Sequence, residues 1–107
     1  MYDKRIKQIE EQILKIKQEL TKIGEMRPGS LTRQYRDPKE KIGPFYQISY
    51  THKMKSHTEY VRPVFVKDIK SQIASYKHFK KLMEKWVQLA IKHSQLKMKL
   101  AIKELDR

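Results

Sequence analysis

Arg27, Arg33, Arg36, Lys39, Lys41, Lys53, Lys55 and Arg62 are interleaved with Tyr35, Phe45, Tyr46, Tyr50 and Tyr60 in one stretch of this chain. A guanidinium grips phosphate with two parallel donors and reads guanine edges, and a ring beside a cation suits stacking on an unpaired base. Four of the chain's six Arg lie in this stretch, whereas the residues after it are cationic almost entirely through Lys. A two-stranded β-ribbon carrying such side chains fits the DNA major groove. The competing role for Tyr46, Ile48, Tyr50 and Tyr60 is packing a hairpin onto helices. Packing is the expected role for Ile48 and two of the tyrosines, which leaves the cations on the opposite face or at the tip.

A second cationic set lies further along. At 100° per residue, Lys67, Lys70, Lys77, Lys81, Lys85, Lys92, Lys99 and Lys103 fall within an arc of about 80°, with only Lys80 and Lys97 of that segment outside it. Such a ribbon can follow a phosphate backbone and release its counterions. A solvated helix face would also be rich in Lys. Here Glu84 and Asp106 are the nearby acids, so neutralisation at i,i+4 spacing is sparse. Lys70, Lys77, Lys81 and Lys85 join the hairpin cations as candidate nucleic-acid contacts.

Other chemistries find less support. His52 and His57 flank the expected hairpin tip, but two donors without a fixed third make a poor metal site. His78 and His93 stand fifteen apart, too far to share an ion, and read as boundary residues between helix seam and solvent. There is no HExxH, phosphate loop or nucleophile elbow, and no Cys for a thiol nucleophile, a disulfide framework or a Cys zinc site. Glu25, Asp37, Glu40 and Glu59 are scattered through loops, which disfavours a nuclease-like acidic pair. The expectation is a non-enzyme with no cofactor and no metal.

The composition agrees. The chain has 107 residues, with 25 Lys+Arg against 12 Asp+Glu, a formal charge of +13 and a pI near 10.0. Only 38% of residues are hydrophobic and the mean hydropathy is −0.82, so the core must be modest and one domain, residues 1–107, is expected. No apolar run approaches the roughly 20 residues that cross a bilayer. Met1-Tyr2-Asp3-Lys4-Arg5 lacks the apolar region of a signal peptide. The expectation is a cytoplasmic protein with no membrane partner, the nucleoid being one place for a DNA binder.

Three segments must position these residues. Tyr2, Ile6, Ile9, Ile13, Ile16, Leu20 and Ile23 alternate gaps of four and three, the seam of a helix that packs on another helix. Helix one is expected over residues 2–24, with Gly24 as its left-handed C-terminal residue. Residues 25–65 hold all four Pro and two of the three Gly, and read as loop and hairpin. The strands are expected at Phe45–Thr51 and Thr58–Arg62, with a basic tip over residues 52–57 that lacks the Asn-Gly of a tight turn. Residues 66–106 have no Gly and no Pro and predict one long helix, with Asp68 as its N-cap. Its apolar residues span about 200° of the helix wheel, twice the usual stripe, and one neighbouring helix covers only a narrow seam. The overall expectation is an α+β protein, mainly α, assembled as a helical-bundle homodimer or higher homo-oligomer. A monomer whose second helix breaks near His93-Ser94-Gln95 is the alternative. The functional expectation is nucleic-acid binding, double-stranded DNA ahead of RNA or single strands, chiefly through phosphate contacts. Docking of the helices on an acidic protein partner is the reading from a different class.

Several dipeptides also keep a familiar order. Arg27-Pro28-Gly29-Ser30-Leu31, Gln34-Tyr35-Arg36, Gly43-Pro44-Phe45-Tyr46, Ser49-Tyr50, Tyr60-Val61 and the run from Tyr76 and Phe79 to Trp86 follow one another. Over about 60 residues the chain resembles an uncharacterised family of short bacterial and archaeal proteins. In these a helix, a Gly-Ser-Leu turn, an aromatic hairpin and a long helix succeed one another. Many members carry Cys between the Tyr-Arg and Gly-Pro-Phe-Tyr elements; here that stretch is Asp37–Ile42 without Cys, so a metal loop implied there is absent. The resemblance implies the order of elements and no activity. At the level of fold the hairpin also resembles the small DNA-binding ribbons of some integrases.

Overall fold

The computed structural model describes residues 2–37, 39 and 42–106. The elements run α1 (Tyr2–Thr21), β1 (Ser30–Asp37), β2 (Ile42–His52), β3 (Lys55–Val61), a 3-10 turn (Pro63–Phe65) and α2 (Val66–Leu105). The protein is therefore α+β and mainly α. Its chain divides into two compact units, residues 1–23 with 79–107, and residues 24–78, and α2 contributes to both.

In the helical unit, Ile6, Ile9 and Leu96 form a buried cluster with Tyr2, Ile13, Leu89 and Leu100 packed around it, and Ile16 is buried as well. The 3–4 spacing of α1 thus does what a heptad seam does. On α2 the covered positions Trp86, Leu89, His93, Leu96 and Leu100 keep the same spacing. Trp86 is half-buried with Lys17 Nζ 5.4 Å from its ring centroid. His93 sits at the seam's border as the spacing suggests, its Nε2 3.1 Å from Glu10 Oε1.

Helix α1 stops three residues short of the expected end. The Thr21 hydroxyl donates to the Gln18 carbonyl (2.6 Å), and the amides of Lys22 and Ile23 donate to Glu19 and Leu20 three residues back. These bonds tighten the last turn and satisfy its carbonyls, so Gly24 is not needed in a left-handed conformation and does not adopt one. Helix α2 starts before Asp68, launched by the 3-10 turn whose Phe65 amide bonds to Arg62 O at 2.9 Å. Asp68 lies in the first turn, where its charge suits the helix dipole, and accepts from Gln72 (3.4 Å) rather than capping the helix. Through His93-Ser94-Gln95 the helix is unbroken.

The remaining unit holds a three-stranded antiparallel sheet in the order β1-β2-β3. The sequence predicts two strands and a loop where β1 lies, so β1 is the difference. Its residues, Ser30-Leu31-Thr32-Arg33-Gln34-Tyr35-Arg36-Asp37, alternate faces but bring only Leu31 and Tyr35 as strand-forming apolar side chains. Pairing with β2 rather than intrinsic preference makes it a strand. The β2–β3 ladder also runs further than expected, closing at His52↔Lys55 on a two-residue turn. Both turn residues, Lys53 (φ 51) and Met54 (φ 65), are left-handed, the backbone of a type I′ hairpin built without Asn or Gly. Ile48 (0% exposed), Val61 and Ile73 form this unit's core, flanked by Leu31, Tyr46, Val66 and Ile69. One sheet face thus packs on the first turns of α2.

Candidate nucleic-acid interface

Residues paired across an antiparallel sheet share a face, and successive residues alternate faces. The pairings Leu31↔Ile48↔Glu59 and Arg33↔Tyr46↔Val61 belong to the face turned to α2. Ser30↔Ser49↔Thr58 and Thr32↔Gln47↔Tyr60 belong to the other face, which no described element of this unit covers. Continuing the alternation puts Gln34, Arg36, Phe45, Thr51, Ser56 and Arg62 on that open face as well.

Among the described residues this face carries hydroxyls, amides, two arginines and two aromatic rings, and no carboxylate. Tyr60 is 59% exposed and Phe45 is half-buried. The Oγ atoms of Ser49 and Thr58 lie 3.3 Å apart across β2 and β3. Arg36 lies alongside Gly43, where the missing side chain leaves it room.

The described acids of this unit are engaged elsewhere. Tyr50 donates a 2.7 Å hydrogen bond to Glu59 Oε1 on the helix-side face, and Arg27 Nη2 lies 3.5 Å from Glu59 Oε2. The Arg27 guanidinium also sits 5.1 Å from the Tyr50 ring centroid, while its backbone amide is held by Gln72 O at 3.2 Å. The Tyr50 hydrogen bond, aided by Arg27, holds the Glu59 carboxyl below its ordinary pKa, and the same bond raises that of the Tyr50 phenol. Glu25 accepts from Gln72 at 3.3 Å, and Asp37 Oδ1 accepts the Lys39 amide at 3.1 Å.

The sequence-derived cations do not gather in one place. Arg36 and Arg62 lie on the open face toward the β1–β2 end, with Lys39 in the connection beyond. Lys53 and Lys55 lie at the β2–β3 tip, ten residues of β2 away, or about 33 Å at strand spacing. The hairpin cations, expected on the opposite face or at the tip, thus fall into two clusters at opposite ends of one sheet. Arg33 is exposed on the helix-side face, with its guanidinium 5.3 Å from the Tyr35 ring centroid. Lys70 and Lys77 are exposed on the part of α2 that carries the sheet; Lys81 and Lys85 are exposed in the helical unit. Lys41 lies outside the described residues.

His57 pairs with Tyr50 and stacks on its ring, centroids 5.0 Å apart, instead of facing His52. Among the described residues no group of three or more His, Asp or Glu is placed to hold a metal ion. No helix formed by them is long and apolar enough to cross a membrane.

Sequence reasoning missed most of the open face because its residues other than Arg36 and Arg62 are not cationic. The signal available was the repeat Ser30-x-Thr32-x-Gln34-x-Arg36, a period of two that reads as a strand only with β2 beside it. Compared with protein-family models, with curated proteins and with solved structures, the chain matches none.

Proposed function

We propose that the protein binds double-stranded DNA, laying the open face of the β1-β2-β3 sheet into or along the major groove. The observation that carries this reading is an exposed sheet face that bears Arg36, Arg62, Tyr60 and a grid of Ser, Thr and Gln, with no carboxylate among its described residues. Three strands about 4.8 Å apart span about 10 Å, close to the roughly 12 Å width of the groove. Hydroxyl and amide side chains hydrogen-bond to base edges and phosphates alike, and the cations at both sheet ends reach the flanking backbone. Charge supports the same reading: residues 24–78 hold eleven Lys and Arg against five acids.

With Arg36, Arg62, Lys53, Lys55, Lys70 and Lys77 on phosphates, the slope of log K against log salt is about −5. Affinity then falls by about three decades between 50 and 200 mM salt. A salt titration with a labelled duplex tests this; no duplex binding even at low salt contradicts it and shifts weight to an acidic protein partner. RNA or single strands form the second reading, favoured by Tyr60 and Phe45 as neighbouring rings on an exposed sheet face. Competition among equal lengths of duplex DNA, single-stranded DNA and RNA chooses between the two.

We propose further that the helical unit pairs with a second copy of the chain. Val87, Ile91, Met98, Ile102 and Leu105 are all more than half exposed and follow a second seam along α2, apart from the one α1 covers. One helix pair burying Ile6, Ile9, Ile16 and Leu96 makes a small core, and a second copy would extend it. The residues bordering the seam, Gln88, Ala90, Gln95 and Ala101, are uncharged. That suits a like-charged copy and offers nothing to select an acidic helix.

A further inference from the structure

The proposed function leaves one motif unused. Arg27-Pro28-Gly29-Ser30-Leu31 leads into β1, and between Gly29–Leu31 and the Lys70–Lys77 stretch of α2 lies an open cleft of about 460 Å³. Ala74 gives it a shallow floor, Ile73 and Leu31 supply apolar walls, and the two lysines and Ser30 supply its polar groups.

From this cleft we infer a site for the sugar-phosphate backbone, a track about three nucleotides long that holds one strand of the duplex at the flank of the sheet. This inference rests on the nucleic-acid reading above. Lys70 and Lys77 stand seven residues apart, two helical turns and about 10 Å along α2. A strand rises about 3.4 Å per nucleotide, so that interval spans three. Neither lysine has an acid three or four residues away on α2, so no helical neighbour neutralises them. The apolar walls suit the carbon face of the sugars, and ammonium groups are point-charge partners for phosphate.

Position argues the same way. Ser30 lines the cleft and also begins the open-face row Ser30↔Ser49↔Thr58. The track therefore opens directly onto the face proposed to meet the bases, over the edge of β1. Gly29 shapes it: at φ +146 its backbone lies tight against Ile48, and a Cβ there would fall 2.7 Å from Ile48 Cγ1.

The experiment is fluorescence anisotropy with a labelled 16-base-pair duplex between 50 and 200 mM KCl, each variant first shown by circular dichroism to be folded. Ala74→Phe fills the cleft without changing charge, and K70Q/K77Q removes its cations. K92Q/K99Q removes two lysines of the same helix remote from it in sequence. The expected result is at least tenfold weaker binding for Ala74→Phe at 100 mM salt. The K70Q/K77Q pair is expected to lower the salt slope by about 2. Native affinity in Ala74→Phe overturns the cleft whatever the lysine pairs do. If the native protein binds no duplex at 50 mM salt, the nucleic-acid reading itself fails instead.

Discussion

Gly29 and Ile48 approach so closely that a Cβ on the glycine would lie 2.7 Å from Ile48 Cγ1, inside any van der Waals contact. Ile48 is the most deeply buried side chain of the described residues, so it has nowhere to retreat. Gly29→Ala combines overpacking with a backbone angle that an L-residue resists, and is expected to cost about 2 kcal/mol or more. A thermal melt followed by aromatic circular dichroism checks it, and an unchanged midpoint would mean that the turn relaxes freely.

The hairpin tip holds strain of a different kind. Lys53 and Met54 are both left-handed, and Met54 is 99% exposed, so its side chain gains nothing from packing. Met54→Gly removes the steric penalty and is expected to stabilise the sheet by about 0.5–1 kcal/mol. Chemical denaturation with unchanged slope and a higher midpoint is the expected outcome.

Charge at the same tip has another consequence. Lys53→Glu with Lys55→Glu replaces two cations by two anions at one end of the sheet. It is expected to abolish duplex binding at 100 mM salt while the helical circular-dichroism signal stays intact. Unchanged affinity would remove the tip from the interface and leave only the Arg36 end.

The second seam of α2 separates assembly from folding. Ile91 is 54% exposed within one chain, so Ile91→Glu should alter the stability of a lone subunit by no more than about 0.5 kcal/mol. In a dimer joined along Val87–Leu105 the same change buries an unpaired charge. Light scattering is expected to report a dimer for the native chain and a monomer for the variant.

The Tyr50–Glu59 bond sets a pH window. The Glu59 pKa is lowered by folding, so its contribution is present above the ordinary carboxylate range and is lost as pH falls through the depressed value. The Tyr50 pKa is raised, so its part is present below the ordinary phenol range and is lost as pH climbs through the raised value. Near-ultraviolet circular dichroism of Tyr50 should change at each of these limits. Glu59→Gln should remove the acid-side transition and move the alkaline one to lower pH, since the hydrogen bond to the Glu59 carboxylate is the main cause of both shifts.

The helices were legible because their information is local. The unbroken 4–3 spacing of α1 and the Gly- and Pro-free run of α2 each name an element without reference to a partner. Ile6, Ile9 and Leu96 are buried where that spacing puts them. What escaped was set by contacts distant in sequence. Strand β1 exists through β2, and the tip shrank to Lys53-Met54 because ladder pairing outweighed the dislike of both residues for positive φ. The candidate site was legible as charge and not as place. Listing Arg33, Arg36, Lys53 and Arg62 together could not reveal that Arg33 lies on the helix-side face, or that the tip and the Arg36 end stand a strand's length apart.

The central claim concerns the open sheet face, and amide chemical shifts recorded during titration with a 16-base-pair duplex test it most directly. The account predicts that the largest changes fall on Ser30, Thr32, Gln47, Ser49, Thr58 and Tyr60, with smaller ones at Lys53 and Lys55. Changes confined to Val87–Leu105, with those sheet amides unmoved at saturating duplex, would contradict it.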